Sequence, residues 1–233
     1  MQSSLDKLKR LFKDLEESLL KELESVPEPT SPQEVYWYVK TQCILSELLL
    51  RLNPDKYRER VREVGIKCLD IFSKWINGIR SEHVPEFKGL ITDYEARAHI
   101  MWYIINLLSN VMSGQELENV VNGYGDYIKS IYLYHKASEY HVYRGMYVYE
   151  YSKAIELLGE ALKYSPDNET LKFFRALWKY QLAQILSANT CTLLKEAIKE
   201  FEEVVALAPT WREPSERLKD AEDMYNKLCS PAK

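Results

Sequence analysis

Glycine and proline are scarce in this chain, with eight and nine among 233 residues. So low a content argues against disorder. It also works against a β-rich fold, which needs tight turns at short intervals. Long apolar runs are missing as well. No stretch approaches the roughly 18 uncharged apolar residues of a membrane-spanning helix. The first residues, Met1-Gln2-Ser3-Ser4-Leu5, hold no signal-peptide core. A cytoplasmic location without membrane insertion is expected.

An excess of one charge is absent too. Net charge is −4, and residues 1–125 carry 16 basic and 19 acidic side chains against 15 and 16 in residues 126–233. Neither half has the basic surface that neutralises a phosphate backbone, so nucleic acid is not an expected partner. The four cysteines, Cys43, Cys68, Cys191 and Cys229, form no C-x-x-C pair. Reduced thiols packed as small apolar groups are expected, with no zinc or redox site.

Catalytic signatures are equally thin. No Gly-rich phosphate loop, no G-x-S-x-G elbow and no H-E-x-x-H pair occurs. Gly123-Tyr124-Gly125 reads as a turn. Of the four histidines, His99 follows Glu95 by four residues and His135 precedes Glu139 by four. Each pair shares a helix turn, but a metal needs three or four converging ligands. No cofactor and no metal are expected. A helical enzyme, or a metal- or ligand-binding protein, with a buried site near His99, His135 and Glu139 is the alternative reading.

What the chain does have is helical periodicity. Tyr57, Val61, Val64, Cys68, Ile71 and Trp75 step by fours and threes, and so do Ile91, Tyr94, Ala98, Met101, Ile105, Leu108 and Met112. Start signals fall in phase. Ser31-Pro32-Gln33-Glu34, Thr92…Glu95, Ser113…Glu116 and Thr210…Glu213 have capping-box spacing, and Asn53-Pro54 pairs a cap with a first-turn proline. The pattern predicts an all-α protein of about nine helices, near 4–25, 32–52, 54–78, 91–112, 126–144, 148–164, 168–187, 191–207 and 213–228. Loops are expected at 79–90 and 113–125, the latter with a helical turn near Glu116–Val121. The organisation expected is an N-terminal amphipathic helix (1–25), a helical region (31–112) and a C-terminal region (125–233).

Two segments of the C-terminal region are alike. Residues 151–166 and 194–209 align at Pro166 and Pro209, which sets Ala154 with Ala197, Leu158 with Phe201, and Ala161 with Val204. A small residue, bulk four later, a small residue three later and a terminal proline describe a helix pressed closely between neighbours. This resembles the second helix of the tetratricopeptide repeat. Tyr134…Ala137 and Phe173…Ala176 stand in the aromatic and small positions of its first helix. The resemblance covers residues 134–228, with Ser215–Leu228 as a capping helix. The prolines lie 43 residues apart rather than the family's 34 or so. It implies antiparallel hairpins stacked as a right-handed superhelix whose groove binds a peptide or partner helix. The lysine and asparagine with which some members bind a C-terminal carboxylate are replaced by Glu139 and Tyr143.

Tyrosine is abundant, at 17, and nine of them lie between Tyr124 and Tyr151. That is too many for one helix face to hide, and tyrosine is enriched at protein interfaces. The expected function is an adaptor or assembly subunit with no reaction of its own. The groove candidates are Tyr134, Tyr140, Tyr143, Arg144, Phe173 and Lys179. A second surface is the first helix, where Leu5, Leu8, Phe12, Leu15 and Leu19 form a 3-4-3-4 seam suited to self-association, with the chain as a homo-oligomer.

Overall fold

The computed structural model describes residues 2–85, 92–144, 148–186 and 188–229. It is all-helical, with no strand among these residues. The chain divides into two compact units, residues 1–124 and 125–233.

The first unit holds α1 (Gln2–Ser25), α2 (Pro32–Leu52), α3 (Pro54–Trp75), α4 (Asp93–Ser109) and α5 (Gly114–Asn122). Single 3₁₀ turns follow α3, at Ile76–Gly78 and Ser81–His83. Thr92 and Ser113 close the capping boxes that the sequence predicts, and the Asn53 side chain accepts from the Lys56 amide at 3.2 Å. Ser31 departs from expectation: its side chain makes no cap. Glu34 instead accepts from the amide of Thr30 at 2.7 Å and from its hydroxyl at 3.1 Å. The 113–125 segment, expected as a loop with a helical turn near Glu116–Val121, carries the nine-residue helix α5. Its capping box satisfies the first amides, and Leu117 and Val121 are buried four residues apart.

The core of this unit is the packing of α2, α3 and α4. Tyr36 and Leu49, Leu69 and Phe72, and Ile100, Met101 and Leu108 are all fully buried. Gly65 lets α3 and α4 approach closely, since a Cβ there would lie 2.4 Å from Leu108 Cδ2.

The second unit holds α6 (Asp126–Arg144), α7 (Val148–Tyr164), α8 (Glu169–Ile185), α9 (Thr190–Leu207) and α10 (Arg212–Cys229). Neighbours run antiparallel. Ser130 near the start of α6 meets Ser165 just after α7 at 3.0 Å, and Lys172 and Lys179 on α8 pair with Glu203 and Glu196 in reverse order on α9. Ala154, Leu158 and Ala161 on α7 have no exposed surface, and neither do Ala197, Phe201 and Val204 on α9. Phe173, Ala176, Ala197, Phe201, Val204 and Ala221 make one apolar cluster across α8, α9 and α10.

The expectation of four reduced thiols fails at one pair. Cys191 and Cys229 form a disulfide with Cα atoms 5.7 Å apart, while Cys43 and Cys68 are free and buried. The reason is topological. Cys191 opens α9 and Cys229 ends α10, and an antiparallel hairpin brings those ends together. A spacing of 38 residues carries no such signal in sequence. Disulfides persist in oxidising compartments or in the intracellular proteins of hyperthermophiles. One support of the cytoplasmic expectation is thereby removed. No helix of the described residues is long and apolar enough to cross a membrane.

Candidate functional site

The six groove candidates fall into three groups. Tyr134 is half-buried on α6, and its ring lies 5.6 Å from that of Phe174 on α8. Tyr140, six residues on, is also half-buried. The Tyr134 ring reaches α8, whereas Tyr140, at 100° per residue, stands about 120° from it around α6. Tyr143 and Arg144 end α6, and their side chains lie outside the described residues. Phe173 faces the core, with ring centroids 5.9 Å from Phe201 and 4.6 Å from Trp211. Lys179 points between α8 and α9, where its ammonium meets Glu196 at 2.7 Å and Glu200 at 2.8 Å.

Lys179 belongs to a ladder that sequence reading missed. Lys172 pairs with Glu203 at 2.7 Å, and Arg175 with Glu200 at 2.9 Å. Lys172 holds the Glu203 carboxyl below its ordinary pKa of 4.5, chiefly by hydrogen bonding. The ladder lines the α8–α9 contact with charge beside the buried Ala176, Leu182 and Ala183. Its signal was present as Lys172, Arg175 and Lys179 at helical spacing opposite Glu196, Glu200 and Glu203. It becomes legible only once α8 and α9 are known to pair in reverse.

The residues of the alternative reading fall in different units. His99 belongs to the first unit, inside an aromatic cluster with Tyr36, Trp102 and Tyr103 at centroid distances of 5.4 to 6.2 Å. His135 and Glu139 belong to the second unit, where Nε2 and a carboxylate oxygen lie 3.2 Å apart. Among the described residues, no three His, Cys, Asp or Glu side chains converge as a metal site would need.

The first unit carries an aromatic surface that sequence reading did not single out. Trp37 is exposed on α2, with Ile44 and Leu48 one and two further steps along the same helix. Lys40 lies over the rings of Tyr36, Trp37 and Tyr103 at 5.3 to 5.9 Å and donates to the Tyr36 hydroxyl at 3.1 Å. Two clefts flank this stripe. One of about 470 Å³ is lined by Pro27, Pro29, Trp37 and Tyr38, and one of about 270 Å³ by Ile44, Trp102, Tyr103 and Leu107. The sequence signal was a second stripe on α2, Trp37–Ile44–Leu48, opposite the buried one.

The first helix is only half docked. Leu19 and Leu23 are buried, and the Gln42 side chain donates to the Leu23 carbonyl at 3.1 Å. Glu16 accepts from Lys56 at 2.6 Å and from the Tyr57 hydroxyl, which lowers its pKa and raises that of Lys56 to about 12. Before Glu16 the described side chains stand in solvent. Leu8, Leu11, Phe12 and Leu15 are 47–64% exposed, and the side chain of Leu5 lies outside the described residues.

No family model, no curated protein and no solved structure matches this chain, so its own geometry carries the functional reading.

Proposed function

We propose that the chain is a protein-binding adaptor or assembly subunit whose second unit is a short tetratricopeptide-like array. One observation carries this reading: the paired half-repeats Ala154/Leu158/Ala161 and Ala197/Phe201/Val204 are all solvent-inaccessible in successive antiparallel hairpins. Small residues at these positions bring helices close, and stacked hairpins complete a core that none has alone. Stacking of this kind leaves the first helices, α6 and α8, to line a groove. Tyr134 and Phe174 are its apolar floor, Tyr140 stands further along α6, and a peptide or partner helix is its occupant.

The test is co-purification of the tagged chain from its native cell, with and without Tyr134→Ala and Tyr140→Ala. Both side chains are half-buried, so circular dichroism accompanies the assay. A stoichiometric partner that the double variant loses while its helicity is kept supports the proposal. Retention of the same partner by the variant removes the groove.

A further inference from the structure

We infer that the exposed half of α1 pairs antiparallel with α1 of a second copy of this chain. The contacts of α1 locate it along α3. Glu16 and Glu24 meet Lys56 and Arg60 in ascending order, and Glu28, just after the helix, meets Lys67, with nitrogen–oxygen distances of 2.6 to 2.7 Å. Glu16 therefore lies against the first turn of α3, which begins at Pro54. The residues before it overhang the α2–α3 turn by about 18 Å, at 1.5 Å per residue. Every side chain from Asp6 to Leu15 is exposed. A helix this short is marginal in water without a surface to pack on.

The overhang is its own complement. Its apolar stripe is Leu8, Leu11, Phe12 and Leu15. Inverted about the point between Leu11 and Phe12, the stripe maps onto itself, with Leu8 on Leu15 of the second copy and Leu11 on Phe12. At 100° per residue, Lys9 and Glu16 border the stripe on one side and Lys7 and Asp14 on the other. An antiparallel pair brings like flanks together. Lys7 then faces Asp14 of the second copy, while on the other flank Glu16 is already held by its own Lys56 and Tyr57. The whole helix is built this way. Residues 2–13 carry four basic side chains and one acidic, whereas residues 14–24 carry five acidic and one basic. Parallel pairing would set basic half on basic half; antiparallel pairing sets each on its opposite.

Sedimentation equilibrium of the full chain tests this across the micromolar range. The mass should approach twice 27.4 kDa. Phe12→Asp, at an exposed position, should weaken association at least tenfold with circular dichroism otherwise kept. Lys7→Glu alone should weaken it, and Lys7→Glu with Asp14→Lys should restore it, because each copy supplies both ends of the exchanged pair. A monomer at every concentration overturns the inference. So does a dimer indifferent to Phe12→Asp, or a double charge variant no tighter than the single one. A monomer that instead binds phosphatidylserine–phosphatidylcholine vesicles through Phe12 assigns the stripe to lipid and likewise overturns it.

Discussion

Glu200 holds two cations on the wall between α8 and α9. It is buried, and its carboxylate accepts from Arg175 Nε at 3.1 Å as well as from Lys179 at 2.8 Å. Removing the acid leaves both cations short of a partner in a partly dry place. Glu200→Ala should cost about 3 kcal/mol, read as a lower urea midpoint, whereas an exposed i,i+4 pair such as Arg51–Glu47 should cost well under 1 kcal/mol when broken. An equal effect at the two sites would contradict the difference in burial. Glu203 makes a pH prediction. Its pKa is lowered in the folded chain, first by the Lys172 hydrogen bond. Its contribution is therefore fully present above the ordinary carboxylate value of 4.5 and is lost as pH falls through the depressed one. The gap in urea midpoint between the wild type and Glu203→Gln should be constant near neutrality and close on acidification below that value. The alanines of this unit were legible in sequence because small residues at 3-4 spacing have one dominant cause, close helix contact. Glu200 was not, because a buried glutamate and a solvated one have the same letter. Only the pairing partner distinguishes them.

Single elements differ in how they are held. The α3–α4 contact depends on a missing side chain. Gly65 sits inside a helix, where alanine would ordinarily gain about 1 kcal/mol, yet its Cβ would collide with Leu108, which is fully buried. Gly65→Ala should therefore destabilise by about 1–2 kcal/mol. Thermal melts check this, and an increase in stability would show that Leu108 can yield. The last helix is held differently. Among its described residues α10 buries only Pro214 and Ala221, so its apolar anchorage is slight. The Cys191–Cys229 bond closes a loop of 38 residues, and removing that constraint should cost about 4 kcal/mol. Cys191→Ser should release α10 to hydrogen exchange while α2, α3 and α4 keep their protection. Unchanged protection of α10 would mean that its apolar contacts suffice. Helix starts were legible at Asn53, Thr92 and Ser113, whose side chains cap the helices that follow. Ser31 failed because Thr30 offered both an amide and a hydroxyl to Glu34, and the longer reach won.

At the scale of the whole chain, two helical units carry different surfaces. The first presents the Trp37–Ile44–Leu48 stripe and the overhanging α1; the second presents the Tyr134–Phe174 contact. The fold class followed from periodicity and capping, which are local. The surfaces followed only in part, since exposure is decided by which helix covers which. Phe173 and Lys179 have the chemistry of a groove yet lie against neighbours, while Trp37 stands in solvent. The reading of the second unit as a holder of another macromolecule is tested most directly by stoichiometric co-purification. A partner that elutes in constant ratio with the wild-type chain, and falls at least tenfold with Tyr134→Ala and Tyr140→Ala, is the predicted result. A chain that elutes without any partner above the untagged control, or a partner held equally by the variant, would contradict it.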